Sequence, residues 1–203
     1  MKKTVIFGGT FNPFHFGHLK LMEEVISVVS PDRFILMPTH LPPHKVAQEL
    51  ASDHDRLEMC RLVASGFPIV EVSDYEILAG GKSYTVRTLE HLHELYPDEE
   101  LYFAMGSDML ISFLNWYMPD RIMEFATLVC NCRDEADREA VSAAKAEIEA
   151  RGGRCIITEC EALVCSSTQV RERLEMGMPI DDLVPAIIAD YIEKTGLYTD
   201  PQK

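Results

Sequence analysis

The chain is short of positive charge. Nineteen Lys and Arg face 33 Asp and Glu, giving a formal net charge of −14 at pH 7, a balance that repels nucleic acid and anionic membranes at long range. A small ligand is therefore expected rather than a polymer. No apolar run reaches the ~20 residues needed to cross a bilayer, and the first residues lack the apolar core of a secretory leader, so a cytoplasmic protein is expected. The six cysteines, at positions 60, 130, 132, 155, 160 and 165, form no Cys-x-x-Cys pair and read as small buried hydrophobes. Cys130-Asn131-Cys132 invites a redox or metal reading, but its setting in the strand-like run 126–132 explains it by period-two alternation. There is one tryptophan, Trp116, and no internal repeat, low-complexity tract or long Ser/Gly linker. With 203 residues, 47% of them apolar, a single domain over 1–203 is expected, with a helical C-terminal part from about 166. The oligomeric state, a homo-oligomer included, is left open.

What is present is an alternation of two periodicities. Short β-rich runs occur at 3–7, 33–37, 69–73, 101–105, 126–132 and 155–158, and helical spacing fills the intervals, as in Leu19, Met22, Ile26 and Val29. Such alternation predicts an α/β fold with a doubly wound, mainly parallel sheet and helices on both faces. The charged, alanine-rich stretch 134–151 reads as a solvated helix stopped by Gly152-Gly153, and 181–194 as a further helix. In sheets of this kind ligands gather at the carboxyl ends of the strands.

The first strand runs into Gly8-Gly9-Thr10-Phe11-Asn12-Pro13-Phe14-His15-Phe16-Gly17-His18. Gly8 and Gly9 let the backbone approach a ligand closely. A helix starting near Phe16 aims free N–H groups and its positive dipole end at the loop, and His15 and His18, three apart, can both donate to phosphate oxygens. Zinc ligation by the two histidines is the rival reading, but no nearby cysteine or carboxylate completes a tetrahedral set.

The other chemistry-bearing clusters also follow strands or open helices. Cys165-Ser166-Ser167-Thr168-Gln169-Val170-Arg171 reads either as an ordinary Ser/Thr cap or as a polyphosphate site with a guanidinium one turn on. Asp108, after Gly106-Ser107, suits a ribose hydroxyl or a helix cap. Lys45, in the stiff loop Pro42-Pro43-His44-Lys45, is either solvated or a point charge for phosphate. Tyr84 and Thr85 sit at a helix start, and Trp116-Tyr117 add an aromatic face that stacks on a ligand ring or fills the core.

His15-Phe16-Gly17-His18 resembles the His-x-Gly-His signature of the nucleotidyltransferase superfamily, and Ser166-Ser167-Thr168 with Arg171 is similar to its late triphosphate motif. Pro42-Pro43-His44-Lys45, Asp74-Tyr75-Glu76, Ser83-Tyr84-Thr85, Gly106-Ser107-Asp108, Trp116 and Leu183-Val184-Pro185 extend the resemblance, over nearly the whole chain, to the bacterial nicotinate-nucleotide adenylyltransferases. The resemblance implies a Rossmann-like fold and transfer of AMP from ATP to nicotinate mononucleotide, yielding deamido-NAD and pyrophosphate without a covalent enzyme intermediate. Nicotinamide mononucleotide and phosphopantetheine are the alternative acceptors. It also implies His15 and His18 as the catalytic pair. Gly8, Gly9, Thr10, Phe11, Gly106, Asp108, Ser166, Ser167, Thr168 and Arg171 would bind ATP. Asn12, Lys45, Tyr84, Thr85, Trp116 and Tyr117 would bind the pyridine nucleotide. Mg2+ would arrive bound to substrate phosphates, with no protein metal site. Asn12 stands where the family more often has Asp, and Ala79 and Lys82 where it has Arg and Pro.

Overall fold

A computed structural model of the chain describes residues 1–42, 50–132, 135–159 and 165–199. Pro43, His44, Lys45 and Cys160, all singled out above, and the first residue of the stretch 134–151 lie outside the described residues.

Six parallel strands form one sheet in the order β3-β2-β1-β4-β5-β6: β1 is Lys2–Gly9, β2 Arg33–Pro38, β3 Val70–Val72, β4 Glu99–Gly106, β5 Ala126–Cys132 and β6 Cys155–Glu159. The expected doubly wound α/β architecture is present. β1 lies at the centre between β2 and β4. The chain winds outward from it in one direction through β2 and β3 and then in the other through β4 to β6, so the winding reverses between β1 and β4. Doubly wound sheets bind ligands at such a reversal.

Both faces are apolar. Val5, Phe7, Phe34 and Leu36 pack against α1 (Phe16–Val29), α2 (Asp53–Ala64), α8 (Ser167–Glu175) and α9 (Ala186–Thr195) on one side. Ile6, Ile35, Phe103 and Leu128 pack on the other against α4 (Thr85–Leu95), α5 (Ser107–Ser112), α6 (Pro119–Phe125) and α7 (Arg138–Ala150). Short α3 (Tyr75–Ala79) follows β3. Period-two side chains thus alternate between two buried layers, and each fully buried Leu, Ile or Phe contributes about 1.5–3 kcal/mol.

Cys130 and Cys132 fall on one face, while Asn131 points to the other and donates to Thr158 Oγ1 at 3.0 Å. All seven residues of β5 are buried, so the alternation read from the sequence holds with both faces covered. The five described cysteines are free thiols and buried. Burial pushes the Cys155 thiol up to about 11, with Cys60 raised further.

Two helix boundaries move. The helix read over 134–151 begins at Arg138, after a 3-10 turn over Glu135–Asp137; the one read over 181–194 begins at Ala186, because Pro185 supplies the N-cap backbone. No described helix is long and apolar enough to cross a membrane.

Candidate active site

The carboxyl ends of β1 and β4 open into a cleft of about 500 Å³. Its floor is the segment after β1. Gly9 packs its α-carbon against the Phe11 ring, where an added Cβ would meet ring carbons at 2.9–3.2 Å. Phe11 itself takes a left-handed backbone (φ 49°), costly for a bulky residue unless its surroundings enforce it. Stacking on Phe14 at 5.5 Å and edge contact with Phe7 at 5.3 Å provide that enforcement.

α1 begins at Phe16, and His15 and His18 both line the cleft. Their rings stack with centroids 3.7 Å apart. The backbone N–H of His15 donates to His18 Nδ1 at 3.2 Å, which leaves the proton of a neutral His18 on Nε2. The His18 ring is fixed by Phe7, Phe11 and Phe14 at 6.0, 5.0 and 5.3 Å. A caged imidazole with an N–H donor reaches a ligand without first losing rotamer entropy.

α8 approaches from the far end of the sequence. Ser166 caps it by accepting from Gln169 N at 3.2 Å, and Ser167 Oγ donates to Pro13 O at 3.0 Å. Arg171 donates through Nη1 to Asn12 O at 2.7 Å and through Nη2 to Thr168 Oγ1 at 3.4 Å. The Ser-Ser-Thr motif is therefore cap, tether and cleft wall together: Ser166, Ser167, Thr168 and Arg171 all border the cleft.

The remaining sequence-derived residues divide between two walls. Gly106 and Asp108 stand at the mouth of β4, where Gly106 rather than Asp108 occupies the N-cap position of α5. Opposite, Tyr84 precedes α4, whose N-terminus no side chain caps, and Thr85 is its first residue. Trp116 packs edge-on against Phe103 at 6.1 Å and beside Phe113 at 5.5 Å while still bordering the cleft, and Tyr117, half-exposed, tilts against Tyr84 at 4.9 Å. Gly8, Gly9, Thr10, Phe11 and Asn12 line the floor. The N-termini of α1, α4, α5 and α8 thus all meet one cavity, a concentration of partial positive charge in an acidic protein.

One residue absent from the sequence reading organises this floor. Arg56, fully buried on α2, donates to Thr10 O at 2.9 Å, Thr39 O at 2.6 Å and Ala51 O at 3.2 Å, and pairs with Asp53, which also binds His40 Nδ1 at 2.7 Å. It ties the loops after β1 and β2 together. A sequence signal existed: Arg56 sits on the helical stripe of Cys60 and Val63, at a position otherwise suited to an apolar residue. Asn12 was foreseen only as a ligand contact. In the structure its Oδ1 accepts from Ala51 N at 3.0 Å and Tyr198 Oη at 2.7 Å, so it also anchors the C-terminal segment.

The cytidylyltransferase-like family model matches residues 6–173, which spans both helix tips of the cleft. Over 98% of this chain and 100% of the relative, the sequence is 36% identical to the "Probable nicotinate-nucleotide adenylyltransferase" of Clostridium tetani. The chain belongs to the nicotinate-nucleotide adenylyltransferases of the cytidylyltransferase-like family. A Desulfitobacterium hafniense (strain Y51) member is 38% identical over 97% of this chain and 96% of its own length. The same fold occurs in the Plasmodium falciparum nicotinic acid mononucleotide adenylyltransferase complexed with NaAD, with a TM-score of 0.78, 18% identity and full coverage of both chains.

Proposed function

We propose that this chain transfers AMP from ATP to nicotinate mononucleotide, forming deamido-NAD and pyrophosphate for NAD synthesis. The observation that carries the reading is the bond from Arg171 of α8 to the Asn12 carbonyl in the loop before α1, with His15, His18 and Arg171 lining one cavity at the sheet's winding reversal.

An oxygen of the acceptor's 5′-phosphate attacks the α-phosphorus of ATP, and the bond from that phosphorus to the β-bridging oxygen breaks, its electron pair leaving with pyrophosphate. No side-chain nucleophile is needed. The protein aligns two polyanions and offsets charge on the reacting oxygens. His18, through Nε2–H, and His15 face the reacting phosphates; Arg171 and the first amides of α8, walled by Ser166, Ser167 and Thr168, hold the β- and γ-phosphates. Gly8, Gly9, Thr10, Phe11 and Gly106 give the nucleotide room, and Asp108 accepts from ribose hydroxyls. Asn12 would border the acceptor's phosphate end, and Lys45, outside the described residues, is the cation the sequence offers for that nucleotide. The amides of Thr85 and Tyr117 take the nicotinate carboxylate, with Tyr84 and Trp116 beside the ring.

The cleft's described carboxylates are Glu76 and Asp108, on separate helices, and no group of three or more His, Cys, Asp or Glu among the described residues could hold a metal ion. That donor set suits Mg2+ entering as part of the ATP substrate, bound by phosphate and water.

The test is pyrophosphate release with ATP, Mg2+ and a panel of acceptors: nicotinate mononucleotide, nicotinamide mononucleotide, phosphopantetheine and glycerol phosphate, with CTP replacing ATP in one arm. The highest kcat/KM is expected for nicotinate mononucleotide with ATP. Turnover confined to phosphopantetheine or to CTP would overturn the proposal.

A further inference from the structure

The mechanism above gives no task to His40, which follows Thr39 beyond the end of β2 and joins the buried arginine to the acceptor-ring wall. His40 Nδ1 lies 2.7 Å from Asp53 Oδ2, and the other oxygen of Asp53 is held by the guanidinium of Arg56. The imidazole and the carboxylate are 30% and 32% exposed. A pair this open is weak when both side chains must be ordered to make it. Here the fully buried Arg56 fixes Asp53 beforehand, so its Oδ2 already stands where the ring docks. The backbone is used as well. His40 N–H donates to Ser83 Oγ at 3.1 Å, Leu41 O accepts from Ser83 N at 3.0 Å, and Leu41 forms a parallel bridge with Lys82.

The segment leading into that wall is loosely packed. Residues 78–82 are all exposed, and Gly80 and Gly81 take left-handed backbones (φ 66° and 67°) where an added Cβ would meet nothing within 4 Å among the described residues. Two unpacked glycines transmit little of the position of α3 to α4. Lys82 and Ser83 are the first residues after them to be tied down, and they are tied to Leu41 and His40. The Ser83 hydroxyl hydrogen-bonds the Glu76 carboxyl, whose Oε1 accepts from Thr88 Oγ1 at 2.6 Å in the first turn of α4. Ser83 therefore sits between His40 and the helix start whose Thr85 amide is assigned above to the nicotinate carboxylate.

Resting on that assignment, we propose that His40 is a positioning residue for the acceptor nucleotide: docked on Asp53 by its ring, it holds Ser83 by its main chain and so sets the N-terminus of α4 that receives the pyridine ring. A wall ordered before the ligand arrives spares binding that entropic cost, so the effect falls on acceptor affinity. Loss of the imidazole leaves Arg56 its bonds to the carbonyls of Thr10, Thr39 and Ala51, and the nucleotide floor keeps its place.

The experiment measures KM and kcat for each substrate, with the other saturating and Mg2+ present, by pyrophosphate release in the wild type, H40A, H40N, S83A and H40A/S83A. Asn offers an amide N–H near the place of the imidazole Nδ1–H, so H40N should keep the wild-type constants. H40A should raise the KM for nicotinate mononucleotide about three- to tenfold, the reach of one hydrogen bond, with kcat and the KM for ATP near wild type. S83A should do the same, and the double variant should be no worse than the worse single, because both break one path. An unchanged acceptor KM in H40A, an equal rise in the KM for ATP, H40N as impaired as H40A, or losses that multiply in the double variant overturn the proposal. Should H40A fold poorly, S83A decides alone, and an unchanged acceptor KM there overturns it. A wild type that adenylylates neither nicotinate nor nicotinamide mononucleotide would instead refute the function on which the inference rests.

Discussion

The guanidinium of Arg171 donates a 2.7 Å hydrogen bond to the backbone carbonyl of Asn12, 159 residues earlier in the chain. This bond joins α8 to the loop that leads through His15 into α1, whose first turn carries His18. Replacing Arg171 with Lys keeps the charge but loses the fork that reaches Asn12 and Thr168 together. We expect the KM for ATP to rise about tenfold, some 1.4 kcal/mol, in steady-state pyrophosphate release, with circular dichroism unchanged.

His18→Ala removes the caged N–H donor. A fall in kcat of about a hundredfold or more, near 3 kcal/mol, is expected if it stabilises charge at the reacting phosphates. A variant that turns over at the wild-type rate would take His18 out of the mechanism.

The two glycines after β1 should respond differently to a methyl group. A Cβ on Gly9 would meet the Phe11 ring at 2.9 Å, while one on Gly8 meets Phe103 at an ordinary 3.6 Å. Gly9→Ala must push Phe11 off Phe14 and His18, so we expect loss of both melting temperature and kcat. Gly8→Ala should keep the wild-type melting temperature and lose nucleotide affinity by filling the cleft.

Arg56→Met leaves the carbonyls of Thr10, Thr39 and Ala51 without this donor and Asp53 with His40 alone. Stranding a polar group away from water costs about 1–3 kcal/mol, and urea denaturation should register a total of roughly 3 kcal/mol for these partly buried partners of the buried guanidinium. An unaffected midpoint would show that the guanidinium does not hold the two loops.

Alkaline stability tests the C-terminal anchor. Burial raises the Tyr198 phenol above its ordinary value, and Tyr191, partly buried and donating to Asp55 Oδ1 at 2.8 Å, is pushed up to about 12. Above the free phenol's value near 10, the unfolded chain releases these protons while the folded chain keeps them, so stability falls as pH rises through that range and is intact below it. Tyr198→Phe should flatten that decline and cost about 1 kcal/mol at neutral pH from the lost bond to Asn12. An identical slope above pH 10 in the variant would remove Tyr198 as a cause.

Strands were the most legible part of the chain, because β-branched and aromatic runs such as Lys3 to Phe7 and Ala126 to Cys132 carry a period that few helices imitate. Helix starts were less so: the helices at Arg138 and Ala186 begin later than composition indicates, the first because a polar 3-10 turn over Glu135–Asp137 precedes it and the second because Pro185 sets its N-cap. For the site, His15, His18, Ser166 and Arg171 were readable as clusters because each opens a helix after a loop. What no local pattern announces is how groups are shared across the chain. The stripe of Cys60 and Val63 marks Arg56 as inward-facing, but not that it joins the loops after β1 and β2, and Asn12 binds the amide of Ala51 and the phenol of Tyr198 only once residues 186 positions apart are brought together.

The Asn12 anchor also sets an order of events during synthesis. Residues through Glu159 contain every strand of the described sheet, yet the tethers from Ser167, Arg171 and Tyr198 come from residues that leave the ribosome after them. A nascent polypeptide can therefore assemble its scaffold while its cleft lacks a wall. Closing the cleft depends on residues that are made after the sheet is complete.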